Sequence, residues 1–375
     1  MRHLITGLCL IVCFGNSLVS GANKEVSGTS SLPANQVKET TENKWEVSAP
    51  VLSAGPERSF DEVSVKDPSV VFYKDRWHVF YTARSKTEYT TGYVSSDQLT
   101  NLRSVQRHEL KMIRGKSRYG CAPQVFYYQP QRKWYLIFQN RDSNYQPMFS
   151  TTETISEPDT WSDPKSLLSK DTPEKWIDFW VICDKTKAYL FYTQGHNDVM
   201  VRSTSLEEFP GGWGKSRKVF DNIHEAVHVY KVKDRSEYHM IYELNRGGIR
   251  SFGLASATHL EGPWKKVTDR YATGEQLCYD EKINKWTHMV SHGEAIRSSY
   301  NELMEYDPKN CRWLIQGILK KDSKRPYPSL PWKLGIINKV ESGRIQDKPV
   351  ASACINLFNS SFINVDNYNI IRFRW

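Results

Sequence analysis

The 375-residue chain is long enough for one large domain or two ordinary ones, and its 39% apolar and 13% aromatic residues, with 12 Trp and 20 Tyr, are ample for a packed core. That aromatic content suits an all-β fold or a carbohydrate-binding surface. No basic run concentrates the formal charge of +9, so the surface reads as solvated and basic, not as a nucleic-acid site, and no run after the N-terminus is apolar and long enough to span a membrane.

The chain starts with a targeting pattern. Arg2 and His3 precede the apolar run Leu4 to Phe14, and small residues follow through Ser20, Gly21 and Ala22. This is the layout of a signal peptide over 1–22, which makes the protein secreted. Removal of that segment takes Cys9 and Cys13 and leaves Cys121, Cys183, Cys278, Cys311 and Cys354, an odd set that allows at most two disulfides. No C-x-x-C pair occurs, which argues against a cysteine zinc site. Residues 23–58 are rich in Ser, Thr, Asn and Glu without periodicity and read as a flexible leader.

From residue 59 a plan recurs. Val65 to Tyr73 reads as a strand, Lys74-Asp75-Arg76 as a turn, and Trp77 to Thr82 as a second strand. The same hairpin returns at Ala122–Tyr128 with Trp134–Gln139, at Ile177–Ile182 with Ala188–Tyr192, and at Glu225–Tyr230 with Tyr238–Glu243. A looser copy runs from Ser291–Arg297 to Trp313–Gly317. Outer strands follow the hairpins at Met148–Thr151 and Val199–Ser203. Five such units, spaced roughly 45 to 70 residues apart with four strands each, match the arithmetic of propeller blades. The expected fold is all-β, a five-bladed β-propeller over 59–340, with a tail of unknown role at 341–375 that contains the glycosylation sequon Asn359-Ser360-Ser361.

The fourth unit contains His224-Glu225-x-x-His228, which as a pattern is the H-E-x-x-H signature of a zinc protease. That chemistry needs a helix, whereas Val227, Val229, Tyr230 and the partner run Tyr238–Glu243 favour a strand. On a strand, alternation places Glu225 with Val227 and Val229 on one face and both histidines on the other, separating the glutamate from them. In a propeller the first strand of each blade lines the central channel, so Asp67, Asp178, Glu225, and His292 with Glu294 converge on the axis from distant parts of the chain. Three carboxylates on one funnel point to acid–base chemistry; a turn-forming Asp at a strand start is the alternative for any one of them.

The ordered segments Ala122–Tyr128 with Trp134-Tyr135-Leu136, Ile177–Asp184 with Tyr189–Phe191 and Phe209-Pro210-Gly211, Glu225–Tyr230, Ser291–Arg297 and Leu330–Gly335 resemble glycoside hydrolase family 62, the α-L-arabinofuranosidases. The resemblance runs over about 60 to 338 and implies a five-bladed propeller that removes arabinofuranosyl side chains from arabinoxylan with inversion. It implies Asp67 as general base, Glu225 as general acid, and Asp178 as the carboxylate that orients the acid and raises its pKa. Lys66, Gln139, Arg297 and Tyr327 match sugar-contacting positions or their neighbours; surface charge or core packing is the other reading of each. His292 resembles the histidine beside a calcium ion on the axis, though a buried histidine bonding strand ends is equally compatible. No organic cofactor is implied; the partner is a polysaccharide and the state a monomer.

Two departures from the family pattern stand out. Asp67-Pro68-Ser69 replaces the usual Asp-Phe-Thr, and Phe138-Gln139 is followed by Asn140-Arg141 in place of Trp-Gly. An arginine there suits an acidic or otherwise decorated glycan. The alternatives are a propeller hydrolase of different sugar specificity, a non-catalytic glycan-binding propeller, and the metalloprotease.

Overall fold

The computed structural model describes residues 42–114, 119–141, 146–168 and 176–340. Its strands form five sheets arranged as a five-bladed β-propeller, and no α-helix occurs among the described residues. The first strand, β1 (Trp45–Val47), belongs to the last blade. Blade I is β2 (Ser64–Tyr73), β3 (Arg76–Arg84), β4 (Tyr89–Ser96) and β5 (His108–Glu109). Blade II is β6 (Gly120–Tyr128), β7 (Lys133–Asn140), β8 (Gln146–Thr152) and β9 (Lys165–Ser166). Blade III is β10 (Trp176–Cys183), β11 (Lys187–Gln194), β12 (Asp198–Ser205) and β13 (Arg217–Phe220). Blade IV is β14 (Glu225–Val232), β15 (Tyr238–Arg246), β16 (Ile249–Ala257) and β17 (Lys265–Ala272). Blade V gathers β18 (Leu277–Tyr279), β19 (Ser291–Ala295), β21 (Arg312–Gly317), β22 (Lys333–Lys339) and β1, while β20 (Glu305–Tyr306) adds to the inner edge of blade IV.

The ring is closed by β1, which pairs antiparallel with β22, so N-terminal and C-terminal segments complete one sheet. This corrects the expected extent of the leader. Trp45, Val51 and Leu52 are fully or almost fully buried, and Val51 and Leu52 donate to the Leu334 carbonyl. A single short strand between polar stretches carries no periodicity of its own, and its partner lies nearly 300 residues away. The signal peptide and the C-terminal tail fall outside the described residues. The four described cysteines, Cys121, Cys183, Cys278 and Cys311, are free, so no disulfide forms among the described residues.

Every inner strand carries a bulge near its start. The register shifts between Lys66 and Ser69, Cys121 and Gln124, Ile177 and Trp180, Glu225 and His228, and Ser291 and Gly293. In the first four blades one bulge residue is left-handed: Asp67 (φ 47°), Ala122 (φ 48°), Asp178 (φ 58°) and Ala226 (φ 54°). A bulge bends its strand and re-aims one side chain without ending the ladder. Just past the bulges, the blades are tied side to side by hydrogen bonds around the axis. Val125 donates to Ser69 Oγ (2.9 Å), Gln124 exchanges two 2.7 Å bonds with the Val181 backbone, Trp180 Nε1 donates to the Val229 carbonyl (2.8 Å), and Ala295 donates to the Tyr230 hydroxyl (3.1 Å). The amide of Asp67 closes the circle by donating to Gln316 Oε1 at 2.7 Å. Large aromatics such as Trp134, Trp180 and Trp313 are fully buried, filling the broad contacts between sheets.

Candidate active site

The bulged strand ends surround a funnel of about 550 Å³ lined by residues of all five blades, among them Lys66, Asp67, Gln139, Asp178, Glu225, His292 and Tyr327. Each carboxylate reaches it for a local reason. Asp67 and Asp178 are themselves the left-handed residues of their bulges, a conformation that Asp tolerates better than most side chains. Glu225 precedes the bulge of its strand, and the left-handed residue there, Ala226, donates its amide to Asp178 Oδ2 at 3.0 Å. Blade IV thus binds the carboxylate of blade III.

Lys66 Nζ bonds Asp67 Oδ2 at 2.6 Å, with both side chains almost fully buried. The Lys66 ammonium also sits 5.7 Å from the Tyr89 ring centre and 5.6 Å from that of Tyr327. His292 Nδ1 stands 3.4 Å from Asp67 Oδ1 and 4.0 Å from Asp178 Oδ2. Burial alone raises the Asp67 carboxyl, but the Lys66 and His292 charges outweigh it and hold the pKa below the usual range. Asp67 is therefore an ionised base at neutral pH.

The other two carboxylates divide differently from what the resemblance implies. Burial, with the charges of Glu225 and Asp67, pushes Asp178 up to about 8. Burial also raises Glu225, but Arg250, with His224 and His292, overrides it and lowers the pKa. The guanidinium of Arg250 bonds Glu225 Oε1, and at 2.7 Å Glu243 Oε1 as well. Burial and neighbouring carboxylates thus favour the protonated form of Asp178, whereas Arg250 favours the ionised form of Glu225. Arg250 is anchored in turn: Glu243 Oε2 accepts from Ser291 Oγ (2.6 Å) and the His292 amide (2.8 Å), and Gln316 Nε2 donates to Ser291 Oγ (3.0 Å). Because Gln316 also accepts from the Asp67 amide, one hydrogen-bonded chain runs from Asp67 to Glu225 through blades V and IV.

Gln139 and Tyr327 lie in the funnel as expected, Tyr327 46% exposed at its mouth. Arg297 does not. Its Nε stands 2.7 Å from the buried Glu294, and its terminal nitrogen donates to the Val70 and Val125 carbonyls at 3.2 and 2.8 Å. It is a tie between blades V, I and II, because its strand has already passed below the funnel. Glu294, grouped by sequence with the converging acids, is spent on the same tie.

The H-E-x-x-H stretch is a strand, which removes the metalloprotease reading, but the bulge changes the expected faces. His228 stacks on Trp180 (4.1 Å, 18°), well packed between blades III and IV. His224 is not separated from the glutamate: its Nε2 lies 3.7 Å from Glu225 Oε2, and His196 Nδ1, on the turn between β11 and β12, lies 3.5 Å from the same oxygen. His224 lies just ahead of β14, where strand alternation does not bind it, and the bulge after Glu225, where two residues oppose one, shifts His228 away from both. Sequence reasoning also passed over Tyr89, Tyr119, Asn245 and Arg250, which come from turns and from strands further out than the inner one, where only long side chains reach the axis. A calcium ion at His292 would find one imidazole nitrogen and two carboxylate oxygens, Asp67 Oδ1 and Asp178 Oδ2, the second of which already accepts from the Ala226 amide, and would take the rest of its six to eight ligands from water.

Comparison with known proteins bears on the same residues. The family described as glycosyl hydrolase family 62 matches residues 47–338. Alpha-L-arabinofuranosidase C of Cellvibrio japonicus (strain Ueda107) is 34% identical over 305 residues, covering 78% of this chain but 46% of that protein, so the chain spans less than half the length of this curated relative. The catalytic domain of the Coprinopsis cinerea family 62 α-L-arabinofuranosidase superposes with a TM-score of 0.73 at 32% identity, covering 80% of this chain and 97% of that one. The Podospora anserina α-L-arabinofuranosidase solved with cellotriose gives 0.73 at 27%, covering 80% and 98%. The chain belongs to glycosyl hydrolase family 62.

Proposed function

We propose that the protein is a secreted glycoside hydrolase, an α-L-arabinofuranosidase that removes arabinofuranosyl side chains from arabinoxylan or a related plant cell-wall polysaccharide with inversion. The observation that carries this reading is the convergence of Asp67, Asp178 and Glu225 from three blades on one funnel, in a chain of this family. Asp67, ionised beside Lys66, activates the attacking water. Glu225 protonates the departing glycosidic oxygen, and Asp178 is the store of its proton. Sugar entering the funnel removes water from around Glu225 and raises its pKa, so that the proton held at Asp178 in the free protein is available to the acid. Lys66, Gln139 and Tyr327 bind the furanose hydroxyls.

Glu225→Gln keeps the shape and removes the acid. Chromatography of sugars released from arabinoxylan and arabinan should show arabinose for the wild type and a fall of about 10²- to 10⁴-fold for the variant, the usual worth of a general acid. Undiminished release by the variant would sink the assignment; tight binding by the wild type without any release would favour a glycan-binding propeller. Proton NMR of the first-formed anomer tests inversion. Secretion rests on residues 1–22, and N-terminal sequencing of exported protein tests it; no helix of the described residues is long and apolar enough to cross a membrane.

One observation favours a different polysaccharide. Arg141 lines the funnel with its guanidinium 4.7 Å from the Tyr119 ring centre, a cation on an aromatic platform suited to an acidic or decorated glycan. Faster release from an acidic gum than from neutral arabinoxylan would support that specificity.

A further inference from the structure

We propose that His196, His224 and Glu225 form a binding site for a divalent first-row transition ion of the Zn²⁺ class, and that the ion switches hydrolysis off by occupying Glu225. The three donor atoms lie within 4.8 Å of one another. Glu225 Oε2 is 3.5 Å from His196 Nδ1 and 3.7 Å from His224 Nε2. Bonds of about 2.0–2.2 Å in a tetrahedral set place ligand atoms about 3.3–3.6 Å apart, which the two glutamate–histidine distances nearly meet. Two imidazoles and a carboxylate with room for water are a donor set that zinc, cobalt and nickel share.

The surroundings hold these atoms in place through weak hydrogen bonds that the ion replaces. Arg250 occupies Oε1 of Glu225, which leaves Oε2 facing the histidines. Asn245 Nδ2 stands 3.4 Å from His224 Nε2 as a donor, so that nitrogen is the unprotonated one, and the ion takes its lone pair from Asn245. The two rings lie 4.9 Å apart at 21°, and shared coordination requires one to turn. His196 can turn: its side chain is 54% exposed on a hairpin turn, and its Nδ1, which donates to the His224 carbonyl at 3.3 Å, gives up that bond and its proton to take the ion. The histidines come from blades III and IV, so the site exists only in the closed propeller. It is separate from His292, whose Nδ1 faces Asp67 and Asp178 on the other side of the funnel.

Binding is independent of the enzymatic reading; inhibition rests on it, because a carboxylate oxygen bound to a metal cannot carry the proton for the leaving oxygen. The experiment reads the two separately, using the full chain. Co²⁺ is titrated against metal-free protein and followed by its visible absorption, and Zn²⁺ binding is measured by calorimetry, for the wild type, His196→Ala and His224→Ala. Arabinose release is then measured against Zn²⁺, each protein normalised to its own metal-free rate. The proposal expects one ion per chain, affinity lower by more than about 100-fold in each variant, and inhibition that is reversed by chelator and lost in parallel. Absence of saturable binding, or binding that survives both substitutions, overturns the site. If binding needs both histidines yet the metal-loaded protein hydrolyses at its full rate, the switch is overturned, while the role of Glu225 as acid stands or falls separately with Glu225→Gln.

Discussion

Lys66 and Asp67 form a buried pair whose effect on pH dependence has a definite sign. The ammonium lowers the Asp67 pKa, so Lys66→Met should raise it and move the acidic limb of the kcat/KM profile upward by about 1 unit or more, the scale of a cation beside a carboxylate. An unmoved limb would assign the base elsewhere. Asp178 carries the opposite perturbation. Its folded pKa of about 8 lies above the unfolded value of about 3.9, so its contribution to stability is present below pH 4 and is lost as pH rises through 8. Asp178→Asn escapes that loss. Its Tm relative to wild type should therefore be higher at pH 9 than at pH 5, while activity falls; a pH-independent Tm difference would refute the raised pKa. The candidate acids and the Lys66–Asp67 pair were legible as residues. Their protonation was not, because Arg250 lies 25 residues from Glu225 and its guanidinium, with His224 and His292, outweighs the burial of that carboxyl.

At the level of strands, the bulge decides which side chains meet. Alternation places His224 and His228 on one face, but the extra residue after Glu225 sends His228 onto Trp180, while His224, just ahead of β14, stays 3.7 Å from Glu225. Arg250, on β16, depends on Glu243 of β15 for its position. Arg250→Met strands Glu243, a fully buried carboxylate, and should cost on the order of 3–5 kcal/mol in denaturant unfolding. The double variant Arg250→Met/Glu243→Gln should recover most of that loss. Additive destabilisation by the two changes would show that the pair is not coupled.

Closure of the ring is a property of the whole molecule. Trp45 is fully buried, donates from Nε1 to the Tyr271 carbonyl at 3.1 Å, and packs edge-on against that ring at 5.5 Å. Trp45→Ala should cost about 3–5 kcal/mol and lower Tm on the order of 10 °C, with kcat at 20 °C retained because Trp45 lies on the outer part of blade V, away from the funnel. An unchanged Tm would mean that β1 contributes little to closure.

The alternating hairpins Val65–Thr82, Ala122–Gln139, Ile177–Tyr192 and Glu225–Glu243 specified their strands locally, and their spacing specified five blades, since strand period and turn chemistry are short-range. Acids at strand starts likewise marked the axis. Tertiary structure alone decided the rest. It made Trp45–Val47 a strand of blade V through a partner at the far end of the chain, and it turned Arg297 into a tie between blades. It raised the pKa of Asp178 while lowering that of Glu225, and it set His196 and His224 beside Glu225. Each of these depends on blades meeting around an axis and on bulges that re-aim single side chains, neither of which is written in the period of any one segment.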